Sequence, residues 1–182
     1  MTKIVETCWG PTEIYEKTYW HLVTTDINAI VFYNNIKVGK GILASLSASI
    51  RAQPEIENAQ TLYSLTHRND EKEELFEAVR LNKYPERPSR LKTIYLFDDY
   101  AFVERALNEW FSPHSKTVHE CRVLVGSVIH RADTNWLNCP ESQWEVCADN
   151  YWAGEMSKTP FPEVLVDGTV YFPNYADFPS SW

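Results

Sequence analysis

Several residues in this 182-residue chain have side chains able to do chemistry, in settings that would hold them still. Glu163 opens P-E-V-L-V, a strand that is apolar at every position but its first. A carboxylate placed there can face a developing positive charge or orient a nucleophile, or it can be a plain exposed strand end. His21 lies inside Y-W-H-L-V-T, where an imidazole either fixes a ligand hydroxyl or donates to a backbone carbonyl as part of the core. Tyr95, in T-I-Y-L-F, offers a ring for stacking or packs as a strand aromatic. Arg87 and Arg90 stand in Y-P-E-R-P-S-R, on a backbone stiffened by Pro85 and Pro88. A guanidinium there can make paired hydrogen bonds to a phosphate, or pair with Glu86 or with the acids of the preceding helix. Glu155, in Y-W-A-G-E, is the rival carboxylate; it follows a helix end instead of opening a strand.

These residues need elements to position them. Residues 1–17 read as an irregular, partly helical lead-in. The β-branched and aromatic content of Thr18–Thr24 predicts a strand. Asp26 caps a helix with Ile27, Ile30 and Val31 on one face. Residues 42–53 have weak helical periodicity closed by Pro54, and Tyr63–Leu65 reads as a short strand. A helix starts at Asn69 or Asp70, its acids in the first turn and Arg80 late, with Leu75, Phe76 and Val79 as its stripe. Leu91–Phe97 is a strand, and Asp98 or Asp99 caps a helix that buries Phe102, Val103, Ala106, Leu107, Trp110 and Phe111. Val118–Ile129 reads as one long strand, and Ser142–Ala153 as a helix with Gly154 placed to end it. Asp167-Gly168 is the strongest two-residue hairpin signal in the chain, so Glu163–Val166 is expected to pair antiparallel with Thr169–Phe172.

Helices and strands mix without regular βαβ alternation, which gives an α+β fold. The length suits a single domain over residues 1–182, its core spanning about 18–173. Hydrophobic residues make up 44% of the chain, and no apolar run approaches the roughly 20 residues of a membrane span. With no signal-peptide pattern at its start, the protein is expected in the cytoplasm and off the membrane. A net charge of −8 argues against binding nucleic acid mainly by phosphate neutralisation. The four cysteines form no CxxC pair, so reduced thiols and no metal site are expected. Seven Trp and ten Tyr are many for this length, and large rings are common around stacked ligands as well as in cores.

Three pieces, in order, resemble the ADP-ribosyltransferase superfamily, in its His–Tyr–Glu branch of diphtheria-toxin-like and poly-ADP-ribose-polymerase-like enzymes. Y-W-H-L-V-T-T-D-I-N-A-I-V-F-Y-N-N-I-K-V-G is similar to that family's opening strand and helix. T-I-Y-L-F-D-D-Y-A-F-V-E-R-A-L is similar to its middle strand and the helix behind it, and P-E-V-L-V to the strand of its catalytic glutamate. The resemblance spans roughly residues 18–173 and implies a split β-sheet core with flanking helices. It implies an NAD-dependent mono-ADP-ribosyltransferase acting on a macromolecular acceptor, protein or nucleic acid. Glu163 is then catalytic, while His21, Tyr95, Arg90 and Thr24 bind NAD, Arg90 or Arg87 at its pyrophosphate. A compact transferase of this kind suits an intracellular toxin or antiviral effector held in check by an antitoxin or inhibitor protein. Two alternatives sit on the same fold: an RNA 2′-phosphotransferase-like NAD-consuming enzyme, and a non-catalytic module that binds a nucleotide or protein. The sequence departs from the family in two places. Leu22 replaces the usual Gly after the histidine, and Ala106 falls where a second tyrosine stacks on nicotinamide. Tyr100, Trp110 and Tyr63 are the substitute rings.

Overall fold

The computed structural model describes residues 1–67 and 70–179. In chain order its strands and α-helices are β1 (Thr2–Thr7), β2 (Gly10–Tyr15), β3 (Tyr19–Thr24), α1 (Ile27–Val38), β4 (Ile42–Ala44), α2 (Leu46–Ala52), α3 (Leu62–His67), α4 (Glu71–Lys83), β5 (Ile94–Leu96), α5 (Tyr100–Glu109), β6 (Lys116–Val123), β7 (Val128–Asp133), α6 (Trp144–Ala153), β8 (Pro162–Asp167) and β9 (Thr169–Tyr171). This is an α+β fold. It divides into two compact units, one of residues 1–44, 95–127 and 168–182, the other of 45–94 and 128–167. Asn69, one of the two expected helix starts, and the last residues of the aromatic tail lie outside the described residues. Among the described residues no helix is long and apolar enough to cross a membrane.

The first unit holds a four-stranded sheet of order β3-β6-β9-β4. In it β3 runs antiparallel to β6, with Tyr19 opposite Cys121 and His21 opposite His119. Inward-facing Tyr19, Val23 and Cys121 are buried there. Asp26 caps α1 as expected, accepting from the Asn28 amide. The buried face of α1 is Ala29, Tyr33 and Ile36, whereas Ile27 and Val31 are exposed. The sequence stripe fails because α1 has apolar residues all round, so periodicity cannot choose the face. Residues 2–15 are the hairpin β1–β2, not an irregular lead-in. Its turn is carried by Gly10 at φ 83°, and Pro11 with three charged residues hides the strand pattern.

The second unit holds β7 and β8. Buried on both faces from Pro162 to Val166, β8 pairs antiparallel with β7, Ala132 opposite Glu163 and Val128 opposite Asp167. Asp70 caps α4, accepting from the Lys72 and Glu73 amides. Gly154 ends α6 in the left-handed conformation. Residues 63–65 are helical, within α3. Residues 42–53 divide into β4 and α2, the helix capped by Ser45.

The expected hairpin does not form. β8 pairs with β7, while β9 pairs with β4 and β6. The long strand expected over 118–129 is correspondingly broken between β6 and β7. Glycine is needed at 168 for two other reasons, a φ of 149° and the approach of Ser127. A Cβ on Gly168 would lie 2.8 Å from the Ser127 Cα. Asp167, which would have led the turn, instead accepts two hydrogen bonds from Arg51 and one from Ser45.

Candidate functional site

α4 begins at its Asp70 cap and carries Glu73, Phe76 and Arg80 inward on one face, all buried. Arg80 donates to the carbonyls of Arg87 at 2.9 Å and Pro85 at 3.4 Å. This fixes the proline-stiffened loop that ends in Arg90. α6 brings Tyr151 inward, and β8 brings Glu163. The loop before β8 is fixed as well: Asp133 accepts from the amides of Ser157 and Phe161, and Thr134 donates to the Phe161 carbonyl.

These pieces converge on Arg90, which is 5% exposed. Its Nε donates to Glu73 at 2.7 Å, and its Nη1 donates to Tyr151 at 2.6 Å and to Glu163 Oε1. Its Nη2 donates to the Tyr63 hydroxyl at 2.6 Å. Each tyrosine passes the chain of bonds on, Tyr63 to Glu73 Oε2 and Tyr151 to Glu163 Oε1, both at 2.6 Å. Burial pushes both phenols above their ordinary value of 10, so they remain protonated donors. The guanidinium also lies over both rings, 5.3 Å from the Tyr63 centroid and 5.2 Å from that of Tyr151.

The arrangement explains why a strand buried on both faces starts with a carboxylate. Glu163 is 7% exposed and is therefore no solvated strand end. Both its anchors act on Oε1, and among the described residues nothing donates to Oε2. The two anchors thus lock one oxygen of the carboxylate.

In the first unit His21 and Tyr95 meet. The His21 Nδ1 lies 2.8 Å from the Tyr95 carbonyl, so Nδ1–H donates there. Burial lowers the imidazole below its ordinary 6.5, which keeps it neutral and leaves a lone pair on Nε2. Its ring packs on Phe32, centroids 5.6 Å apart, and against Phe172. Thr24 Oγ1 accepts from Lys116 at 2.6 Å. Beside them a cavity of about 260 Å³ is lined by Trp20, Tyr100, His119, Glu120 and Phe178, among others.

The site residues expected from sequence thus fall into two groups. His21, Thr24 and Tyr95 belong to the first unit, Arg90 and Glu163 to the second. Arg90 has side-chain partners in place of an open face for a phosphate, including the Glu73 of the preceding helix. Arg87 pairs with Glu86 at 3.5 Å. Glu155 is exposed on the loop after Gly154. Of the substitute rings, Tyr100 lines the first-unit cavity, Trp110 packs near Phe97, and Tyr63 stacks on His67 at 4.1 Å.

Sequence reasoning missed Glu73 and the hydroxyl of Tyr151 as parts of the site. Glu73 stands three residues before Phe76 and seven before Arg80, a spacing that puts all three on one face. That pattern was the available signal. No group of three His, Cys, Asp or Glu able to hold a metal occurs among the described residues.

A family model described as "Protein of unknown function (DUF2441)" matches residues 45–175. The match takes in Glu73, Arg90, Tyr95, Tyr151 and Glu163, and leaves out His21 and Thr24. No curated protein matches the chain.

Proposed function

The chain belongs to the DUF2441 family, and we propose that it is an ADP-ribosyltransferase that consumes NAD, with Glu163 as its catalytic carboxylate. The observation that carries this reading is the state of Glu163, a buried carboxylate locked through Oε1 with no donor to Oε2 among the described residues. Breaking the bond between nicotinamide and ribose sends the electron pair out with nicotinamide and leaves an oxocarbenium ion at the anomeric carbon. A fixed carboxylate stabilises that cation, and its open oxygen accepts the ribose 2′-hydroxyl. The incoming nucleophile attacks the anomeric carbon, and its proton passes to the carboxylate or to water.

His21 contributes to binding. With Nδ1–H given to the Tyr95 carbonyl, its Nε2 accepts from a hydroxyl of the adenosine ribose. Tyr95 offers a ring to the nicotinamide, and Thr24 a hydroxyl to the dinucleotide. Arg90 takes a different part from the pyrophosphate contact suggested by its sequence position: it holds Glu163. The acceptor is a protein or a nucleic acid, and an inhibitor protein would keep such an activity in check in the cell where it is made.

One observation favours a second reading, a binding module without chemistry. Arg90 neutralises part of the charge that Glu163 needs. The two readings separate in one experiment. Purified protein is incubated with cell lysate and NAD labelled in its adenosine, free nicotinamide is measured, and parallel samples are treated with protease or nuclease. The transferase reading expects nicotinamide release and a label removed by one of the two treatments. Absence of both overturns it.

A further inference from the structure

We propose that Glu73 is a positioning residue that keeps Glu163 effectively charged by balancing Arg90, an inference that rests on the transferase reading above. If Arg90 faced Glu163 alone, the pair would be neutral and Glu163 a poor partner for a developing cation. Arg90 is instead shared. Its Nε donates to Glu73 and its Nη1 to Glu163, and both carboxylates are at least nine-tenths buried. The guanidinium is charged at every relevant pH, and the two tyrosines are held protonated and neutral. Among the described residues the cluster of Glu73, Arg90 and Glu163 therefore holds one more carboxylate than cation.

Tyr63 and Tyr151 repeat the same geometry on the two sides of Arg90. Each accepts from the guanidinium and donates to one carboxylate at 2.6 Å. The hydrogen-bonding capacity of the guanidinium is thus divided between two acids. Glu73 draws it away from Glu163, leaving Oε1 anchored and the excess negative charge available at Oε2.

A buried excess charge is costly to hold in the folded state. An arrangement built only for stability would be neutral, with a single carboxylate on Arg90. This cost gives the proposal its test, because the charge role and a merely structural role predict opposite outcomes. Glu73→Gln keeps the shape of the side chain and brings the cluster to neutrality. We expect it to melt at or above the wild-type temperature while kcat for nicotinamide release falls about 10–100-fold, by analogy with the loss of a side chain that orients a metal ligand. KM for NAD should stay within about twofold, because Glu73 does not touch substrate and the cation exists only in the transition state.

The second arm is the double variant Glu73→Gln with Arg90→Gln. Removing both charges returns the carboxylate of Glu163 without its counter-ion. The double variant should recover part of the lost kcat relative to Glu73→Gln, although it removes a further member of the network. If Glu73→Gln does not fold, the double variant carries the test alone. Turnover well above that of Glu163→Gln supports the proposal, and turnover as low as that of Glu163→Gln overturns it. Unchanged kcat in Glu73→Gln, or a loss that the double variant deepens, also overturns it. Wild-type protein that releases no nicotinamide overturns the transferase reading and this inference with it. Active wild type, inactive Glu163→Gln and fully active Glu73→Gln overturn this inference alone.

Discussion

Arg90→Met is the sharpest probe of the second unit's stability. Methionine keeps much of the side-chain stem but leaves Glu73 and Glu163 facing each other without a cation, in a site where each is more than nine-tenths buried. It also removes the donor that reaches both phenol oxygens. Breaking a buried ion pair by removing one partner typically costs about 3–5 kcal/mol, chiefly because the other charge is stranded. For a chain of this size about 1 kcal/mol moves the melting temperature by roughly 2–4 °C, so the expected fall is about 6–20 °C. Circular dichroism melts at neutral pH, with urea titrations to check for an unchanged slope, read the effect directly. Arg90→Met melting within about 2 °C of wild type would show that the guanidinium does not hold these carboxylates, and the account of Glu163's anchoring would fall with it.

Two further expectations follow from the imidazoles. His21→Ala should weaken NAD binding by about 3–10-fold in calorimetry, the equivalent of one net hydrogen bond, without unfolding the protein. Unchanged affinity with normal melting would assign His21 to the core alone. Burial holds His119 and His130 down to about 4 against an ordinary 6.5. The unfolded chain therefore takes up these protons first as pH falls. Stability is intact above about pH 6.5 and drains away between there and about pH 4. His130→Phe keeps a ring beside Trp152 and should flatten that acid limb; a limb of unchanged slope would contradict the assignment.

Where a local side chain decides the structure, the sequence was legible. Asp26, Asp70 and Asp99 each cap a helix through their own carboxylate, and Gly154 ends α6 where its left-handed conformation is needed. Partner choice is not local, and there the reading failed. Asp167-Gly168 carries all the chemistry of a hairpin turn. Yet the pairing of β8 with β7 and the packing of Ser127 against Gly168 decide its conformation. The same limit applies at the site. Glu163 stood out because an apolar strand should not begin with a charge. Its anchors, Arg90 and Tyr151, lie 73 and 12 residues away in sequence. Glu73 was read as one of several acids favoured by the helix dipole, which hid its inward position beside Phe76.

The rate of nicotinamide release by Glu163→Gln, measured beside Glu155→Gln at saturating NAD, decides whether Glu163 is the catalytic carboxylate. Glutamine preserves the shape of Glu163 and its capacity to accept from Arg90 and Tyr151 at Oε1, while it removes the negative charge and puts an amide NH2 donor in the place of Oε2. Loss of one well-placed electrostatic partner typically lowers the rate by about 10²–10³. NAD affinity should fall by no more than about 3–10-fold, the equivalent of the one hydrogen bond to the ribose 2′-hydroxyl, because ground-state binding does not draw on a charge that opposes the oxocarbenium ion. The account predicts that fall for Glu163→Gln and near-normal turnover for the exposed Glu155→Gln. Full turnover in Glu163→Gln, or its loss in Glu155→Gln instead, would contradict it.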